Sequence, residues 1–200
     1  MEQIENGFKK GTGKAAAFSL IELLLVLVIV GVLTALAVPS AVTLLSGTNV
    51  NRGGQMVGDQ FALARQEAIT RNMDILVTFY QLKDAGRTSW SALQLWGISS
   101  TSGTRALGRI LRLPEGVVIS PVAALSPMLS LNTGTVALQA YGAVPCAGFR
   151  FRANGFTESA LTTSNNFVTL HYATASGNPP PNYYTVQVNP LTGKTTVFRP

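Results

Sequence analysis

The sequence predicts an α+β fold in which a long N-terminal helix, partly within a membrane, packs on a C-terminal antiparallel β-sheet domain. Residues 23–51 contain no charged side chain. Apolar residues then recur at helical spacing as far as Ala68, and beyond Asn72 they alternate as in strands. A chain of 200 residues has room for one globular domain besides the helix.

The first element is an apolar segment over residues 18–39, preceded by Lys9, Lys10 and Lys14. It supplies the roughly 20 apolar residues that a membrane-spanning helix needs. Lysines before a span predict a cytoplasmic N-terminus and an exported remainder. Glu22 is the one acid of this segment. Because an acid in hydrocarbon costs about 2.5–3.5 kcal/mol, Glu22 requires a partner.

The five residues Phe18-Ser19-Leu20-Ile21-Glu22 resemble the class III signal of type IV pilins and type II secretion pseudopilins. The resemblance implies that residues 1–17 are a leader peptide, which a prepilin peptidase removes by cutting between Ala17 and Phe18. It implies N-methylation of Phe18 after the cut. It further implies that Glu22 attracts the N-terminal amine of a neighbouring subunit during assembly.

Pro39 stands where such pilins carry a helix-kinking proline, and Ala17 stands where the family usually has glycine. Two other interpretations of the segment stay open. One is an ordinary secretory signal peptide, with small residues at Ala35–Ala37 as its cleavage site. The other is a plain single-span anchor. Neither of them explains Phe18, Glu22 and Pro39 together.

The helix is predicted to continue over residues 40–72 as an amphipathic segment. One face is marked by apolar residues at steps of four, three and four, namely Val57, Phe61, Ala64 and Ala68. Gly53 and Gly54 each cost roughly 1 kcal/mol relative to alanine in a helix. They predict a break or a melted stretch.

The charged residues near the end of this helix are predicted to face solvent. Arg65 and Arg71 are interpreted as solvated charges, and Glu67 and Arg71 are spaced for an exposed ion pair. The stretch Leu63–Asn72, followed by apolar Ile75–Val77, is similar to the helix-to-first-strand junction of the GspH/FimT branch of minor pseudopilins.

Residues 73–200 are predicted to form an exported β-rich globular domain. Its candidate strands are Asp74–Gln81, Ser89–Ile98, Arg109–Ile119, Gly148–Arg152, Phe167–Tyr172, Tyr183–Val188 and Thr195–Arg199. Alternation in the second strand places four residues on one face: Trp90, Ala92, Gln94 and Trp96.

Turn-forming residues at Asn189–Gly193 predict a terminal hairpin. This ending, together with Phe149–Gly155, again resembles the GspH/FimT domain, in which strands pack against the C-terminal half of the long helix. Residues 99–146 are rich in Ser, Thr, Gly and Pro, which predicts extended loops around a few strands.

The sequence favours a protein without catalytic, cofactor or metal sites. His171 and Cys146 are the only histidine and the only cysteine. The usual Cys/His zinc sites therefore cannot form within one chain, and neither can an intrachain disulfide. Both residues are interpreted as structural. The glycine and lysine spacing of residues 7–14 does not fit a phosphate loop, and no G-x-S-x-G motif occurs.

Together these features predict a minor pilin or pseudopilin, a non-enzymatic structural subunit of a type II secretion pseudopilus or a type IV pilus that supports protein secretion. Its expected partners are the prepilin peptidase, other subunits and the inner membrane. After assembly it would lie in a periplasmic or cell-surface filament. One alternative is a single-span anchored binding domain.

A second alternative is a DNA-binding minor pilin of a competence pilus. Some relatives bind DNA through basic residues near the C-terminus, where this chain has Arg150, Arg152, Lys194 and Arg199. Phosphate contacts by these cations would make the affinity fall steeply with salt. The net charge of +6 is a mild basic excess and no polybasic tract accompanies it.

Overall fold

The computed structural model describes residues 19–84, 86–99 and 103–200, with only the helical backbone described for residues 36–46. The predicted leader, residues 1–17, and Phe18 lie outside the described residues. The chain divides into two compact units, Met1–Val42 and Thr43–Pro200. The described part of the first unit is helical, whereas the second contains the rest of the helix and every strand among the described residues.

A single helix, α1, extends over Leu20–Arg71. It ends in a Schellman motif, in which Asn72 adopts a left-handed conformation with φ of 48°. The N–H of Met73 donates to the carbonyl of Ala68 at 3.2 Å, and the N–H of Asn72 donates to that of Ile69 at 3.3 Å. Because asparagine tolerates this conformation better than most residues, Asn72 provides the sharp reversal from α1 into the first strand.

The strands follow in chain order, with one short 3-10 helix at Pro127–Ser130. Their bounds are β1 Asp74–Asp84, β2 Arg87–Ser99, β3 Gly103–Ala106, β4 Leu111–Arg112, β5 Val117–Ile119, β6 Gly134–Leu138, β7 Gly142–Phe151, β8 Phe167–Tyr172, β9 Tyr184–Val188 and β10 Thr195–Phe198.

The strands form one sheet in the order β10-β9-β8-β5-β2-β1-β7-β6, with β3 and β4 also paired to β2. Every described strand pair is antiparallel, so the predicted α+β class with an antiparallel sheet is confirmed. The single strand predicted over Arg109–Ile119 is wrong. A turn separates β4 from β5, with Gly116 at a φ of 78° and the N–H of Val117 donating to the carbonyl of Pro114.

The main core lies between the sheet and the part of α1 within the second unit. The predicted helical face is confirmed, because Val57, Phe61, Ala64 and Ala68 are all fully buried. Phe61 makes edge-to-face contacts with Phe79 of β1 at 6.0 Å and with Phe149 of β7 at 5.2 Å between ring centroids. This face of α1 therefore fixes the central strands.

The break predicted at Gly53 and Gly54 is wrong, since α1 is continuous through both residues. The two glycines instead permit a close approach of the sheet. A Cβ at Gly53 would lie 3.0 Å from Cγ1 of Val117, and a Cβ at Gly54 would lie 2.1 Å from Cδ1 of Tyr184. Tertiary packing here outweighs the low helix propensity of glycine.

The predicted face of Trp90 on β2 is wrong, because this strand contains a β-bulge. Tyr80 pairs with Ala92 and Gln81 pairs with Trp90, so Ser91 is an extra residue on β2. The bulge moves Trp90 to the opposite face from Ala92, where it packs against the main core. Ala92 belongs to a second cluster on the outer face of the sheet. The simple alternation of sequence therefore failed at this one position.

Candidate functional site

The most unusual feature of the described surface is the start of α1. Every residue from Leu20 to Ala35 is exposed, including large apolar side chains on all sides of the helix. Leu25 is 58% exposed and Leu33 is 62% exposed. Burying one such side chain contributes roughly 1.5–3 kcal/mol. A helix that is apolar all round is normally covered by lipid or by protein, so this segment is a candidate contact site.

Glu22 is the one charged residue in the segment Leu20–Ala35. Ser19 immediately precedes α1, and its carbonyl accepts the N–H of Glu22 at 3.0 Å and that of Leu23 at 3.2 Å. An acid in this first turn interacts favourably with the helix dipole. Ser19 and Glu22 also have the S-x-x-E spacing that is typical of a capping box. The position of Glu22 in the first turn therefore has to be separated from any role in assembly.

The other predicted processing and assembly residues fall partly outside the described residues. Ala17 and Phe18 are not among them, and for Pro39 only the helical backbone is described. Within the described residues, no helix combines the length and the apolar character required to cross a membrane. The predicted span, residues 18–39, includes Phe18, which lies outside the described residues, and residues 36–39, for which only the helical backbone is described.

The four cations considered for DNA binding lie on or beside two strands, β7 and β10. Arg150 lies on β7, with its Nη1 3.6 Å from Oδ2 of Asp74, and Arg152 follows the same strand. Lys194 precedes β10 and Arg199 follows it, so they flank opposite ends of that strand. Five strands separate β7 from β10 in the sheet order, but the turn after Arg152 contacts the turn before Lys194, because a Cβ at Gly193 would lie 2.1 Å from the Gly155 oxygen. The turns beside Arg152 and Lys194 are therefore neighbours, whereas Arg199 lies at the other end of β10 and Asp74 partly neutralises Arg150.

Arg65 is half-buried and makes tertiary hydrogen bonds that the sequence pattern did not predict. Its Nε donates to the carbonyl of Gly155 at 3.3 Å and to that of Thr192 at 3.0 Å. The two turns also contact each other, because a Cβ at Gly193 would lie 2.1 Å from the Gly155 oxygen. Arg65 thus joins α1 to two turns that are distant in sequence. Only the tertiary structure reveals this contact.

The single histidine and the single cysteine both lie in the sheet. His171 is 8% exposed and its Nδ1 is 2.9 Å from the carbonyl oxygen of Tyr172, in agreement with its predicted structural role. Cys146 is partly buried on β7, and burial raises the pKa of its thiol. Among the described residues, no three His, Cys, Asp or Glu side chains are grouped to hold a metal ion.

Comparison with known proteins finds no matching family model and no matching curated protein. The chain is similar to two solved structures of the minor pseudopilin EpsH from the type II secretion system of Vibrio cholerae. The alignment with the first structure covers 76% of this chain and 98% of the EpsH chain, at 12% sequence identity and a TM-score of 0.45. The other covers 76% and 95%, at 13% identity and a TM-score of 0.44.

Proposed function

We propose that this chain is a pilin-like structural subunit, a minor pseudopilin or minor pilin that assembles through its N-terminal helix to support protein secretion. The observation that carries the proposal is the segment Leu20–Ala35, apolar and exposed on every side, with Glu22 as its one charge. Such a segment requires cover along its whole circumference. Lipid of the inner membrane supplies this cover before assembly, and helices of neighbouring subunits supply it in a filament.

Glu22 gives the assembly its specificity in this proposal. A prepilin peptidase cuts between Ala17 and Phe18, and the new amino group of Phe18 is methylated. The ammonium group of one subunit then pairs with the Glu22 carboxylate of another. Pairing offsets the energy of holding a single carboxylate in apolar surroundings, which is about 2.5–3.5 kcal/mol. The chain has no enzymatic role in this proposal, and the sheet is the exported part.

The first test separates the charge of Glu22 from the capping role that its spacing to Ser19 would allow. Glu22→Gln removes the charge but keeps a side chain that serves at this position of a capping box, whereas Glu22→Ala removes both. Ser19→Ala weakens the cap by about 0.5–2 kcal/mol and leaves the charge in place. Each variant is expressed with its filament system, and subunits are quantified in the membrane and in sheared filaments.

Charge pairing predicts that Glu22→Gln and Glu22→Ala both deplete the subunit from filaments at least tenfold, with equal amounts in the membrane. The estimate follows because a hydrogen bond to a charged group contributes about 1.5–3 kcal/mol, and 1.4 kcal/mol corresponds to tenfold. Ser19→Ala should assemble normally. Normal incorporation of Glu22→Gln beside failure of Glu22→Ala would assign Glu22 to helix capping and refute the pairing.

A second test concerns processing. The intact mass of the membrane-associated chain is measured in cells with and without their prepilin peptidase. We expect a peptidase-dependent product that begins at methylated Phe18. A chain that keeps residues 1–17 in both strains would contradict the proposed route and leave a single-span membrane protein. The same masses, measured for the Glu22 and Ser19 variants, verify that any assembly defect arises after cleavage.

A further inference from the structure

The outer face of the sheet carries an apolar groove that the proposed function does not use. On β1, Ile75, Val77 and Phe79 point into the main core, whereas Leu76, Thr78 and Tyr80 alternate with them and line the groove. Trp96 of β2, Cys146 of β7 and Val136 of β6 complete its walls. Its volume is about 230 Å³. We call it the outer groove.

One polar group in the outer groove lacks a partner. Thr78 is 7% exposed, and its Oγ1 makes no hydrogen bond within the described residues. The polar groups of Trp96 and Tyr80 are already engaged. Nε1 of Trp96 donates to Oη of Tyr80 at 2.8 Å, and that hydroxyl donates to Oε1 of Gln94 at 3.2 Å. A buried hydroxyl without a partner is unfavourable, so a ligand that hydrogen-bonds to Thr78 gains affinity.

The remaining properties of the outer groove define the ligand. None of its lining residues is charged, which favours an uncharged ligand. An apolar cavity of about 150 Å³ is enough to bind one benzene molecule, so the outer groove has room for a single aromatic ring with a polar substituent. Phenol and indole groups combine such a ring with one hydrogen-bonding group.

The adjacent strand favours a polypeptide over a free small molecule. β6 is the last strand of the sheet order and, among the described residues, pairs only with β7. Its Gly134, Thr135 and Ala137 are exposed, while Val136 lines the outer groove. An unpaired strand edge offers backbone hydrogen bonds that another polypeptide can use. A partner chain can therefore bind this edge and insert a side chain beside it.

We propose that the outer groove is a docking site for one uncharged aromatic side chain, tyrosine or tryptophan, of a partner polypeptide, with Thr78 as its hydrogen-bonding residue. This site lies wholly within the second unit, on the sheet face opposite the buried side of α1. It does not depend on Glu22. The Glu22 variants should therefore leave binding at the outer groove unchanged, which distinguishes the failure of either proposal.

The chemistry of the site is tested on the full chain in detergent with two probes, p-cresol and toluene, which differ by one hydroxyl group. Cys146 is the only cysteine, so its alkylation by iodoacetamide, followed by intact mass, reports whether the outer groove is occupied. We expect both probes to slow the alkylation, with p-cresol binding about fivefold tighter, the effect of one neutral hydrogen bond.

Thr78→Val should abolish the preference for p-cresol while retaining the binding of toluene, because valine keeps the shape and removes the hydroxyl. Thr196→Val, an exposed change on β10, is the matched control and should preserve the preference. Failure of p-cresol to protect Cys146, or an equal preference in the Thr78→Val variant, would overturn the assignment of Thr78.

The nature of the partner is tested in cells with a photo-cross-linking residue in the outer groove, Val136→benzoylphenylalanine. We expect a polypeptide adduct whose attachment site, mapped by mass spectrometry, lies at or beside a tyrosine or tryptophan. Adding Thr78→Val should reduce its yield several-fold. No polypeptide adduct, or attachment far from any aromatic residue, would refute a partner polypeptide even if p-cresol protects Cys146.

Discussion

Two glycines one helical turn apart on α1 should respond to alanine with opposite signs. Alanine is favoured over glycine inside a helix by about 1 kcal/mol. At Gly58 the added Cβ would lie 3.7 Å from Cγ1 of Val197, an ordinary contact, so Gly58→Ala should stabilise the chain by up to about 1 kcal/mol. At Gly54 the surroundings reverse this expectation.

A Cβ at Gly54 would lie 2.1, 2.3 and 2.4 Å from Cδ1, Cγ and Cε1 of Tyr184. Tyr184 is 7% exposed, so its ring cannot simply turn into solvent, and either the ring or the backbone of β9 must move. Overpacking of this kind typically costs about 1–3 kcal/mol. Subtracting the gain in helix propensity, we expect Gly54→Ala to lower the free energy of unfolding by up to about 2 kcal/mol.

The assay is urea unfolding of the full chain in detergent, followed by tryptophan fluorescence. Both tryptophans, Trp90 and Trp96, lie on β2, so the signal reports the sheet. In a Tyr184→Ala background the clash is gone, and Gly54→Ala should then stabilise as Gly58→Ala does. Equal stabilisation by the two alanine changes in the parent chain would show that the sheet does not approach α1 at Gly54.

Three further predictions concern the sheet. Gly148→Ala should lower the free energy of unfolding more than Gly54→Ala, because its Cβ would lie 2.2 Å from the backbone oxygen of Val77 and would force β1 and β7 apart. The yield of folded chain and its urea midpoint measure this loss of stability. Arg65→Gln should lower the free energy of unfolding by about 1–2 kcal/mol, because its hydrogen bonds to two turns are lost. Arg71→Gln is the control, and because Arg71 belongs to an exposed ion pair it should change this free energy by only a few tenths of a kcal/mol. Faster amide exchange in the two turns joined by Arg65 should accompany the loss of stability. Burial raises the pKa of Tyr80 above its ordinary 10.0, so its contribution to stability is constant below pH 10 and is lost as the pH rises further. Tyr80→Phe should therefore reduce the loss of stability at alkaline pH, measured as the urea midpoint against pH. The same dependence of the urea midpoint on pH in both proteins would contradict this reasoning.

The features of the fold that depend on residues close in sequence could be predicted from the sequence. The four-three-four spacing from Val57 to Ala68 correctly predicted the buried face of α1, because helical periodicity alone decides which residues share a face. Asn189–Gly193 correctly predicted the hairpin of β9 and β10. Turn residues Pro114 and Gly116 were also present in the sequence, so the division between β4 and β5 could have been predicted.

The errors share a different physical origin, which is contact between residues distant in sequence. A bulge at Ser91 leaves the apolar and polar alternation of β2 intact, yet it changes the face of Trp90. Gly54 has a low helix propensity and therefore predicts a break, but Tyr184 lies against it and leaves no room for a larger residue. Arg65 is typical of a solvated helix charge, and its two carbonyl partners belong to separate turns. Propensity and periodicity contain no information on such partners.

Stability and assembly should be separable along the single helix α1. Residues such as Phe61 and Ala68 are fully buried against the sheet, so changes there should lower the free energy of unfolding. Glu22 is exposed, and its described backbone hydrogen bond is to Ser19 within the first turn. We therefore expect Glu22→Gln to leave the urea midpoint of the sheet unchanged while it reduces incorporation into filaments. A parallel loss of both properties would indicate that Glu22 acts through the fold, and the contact role proposed for the exposed segment would then be wrong.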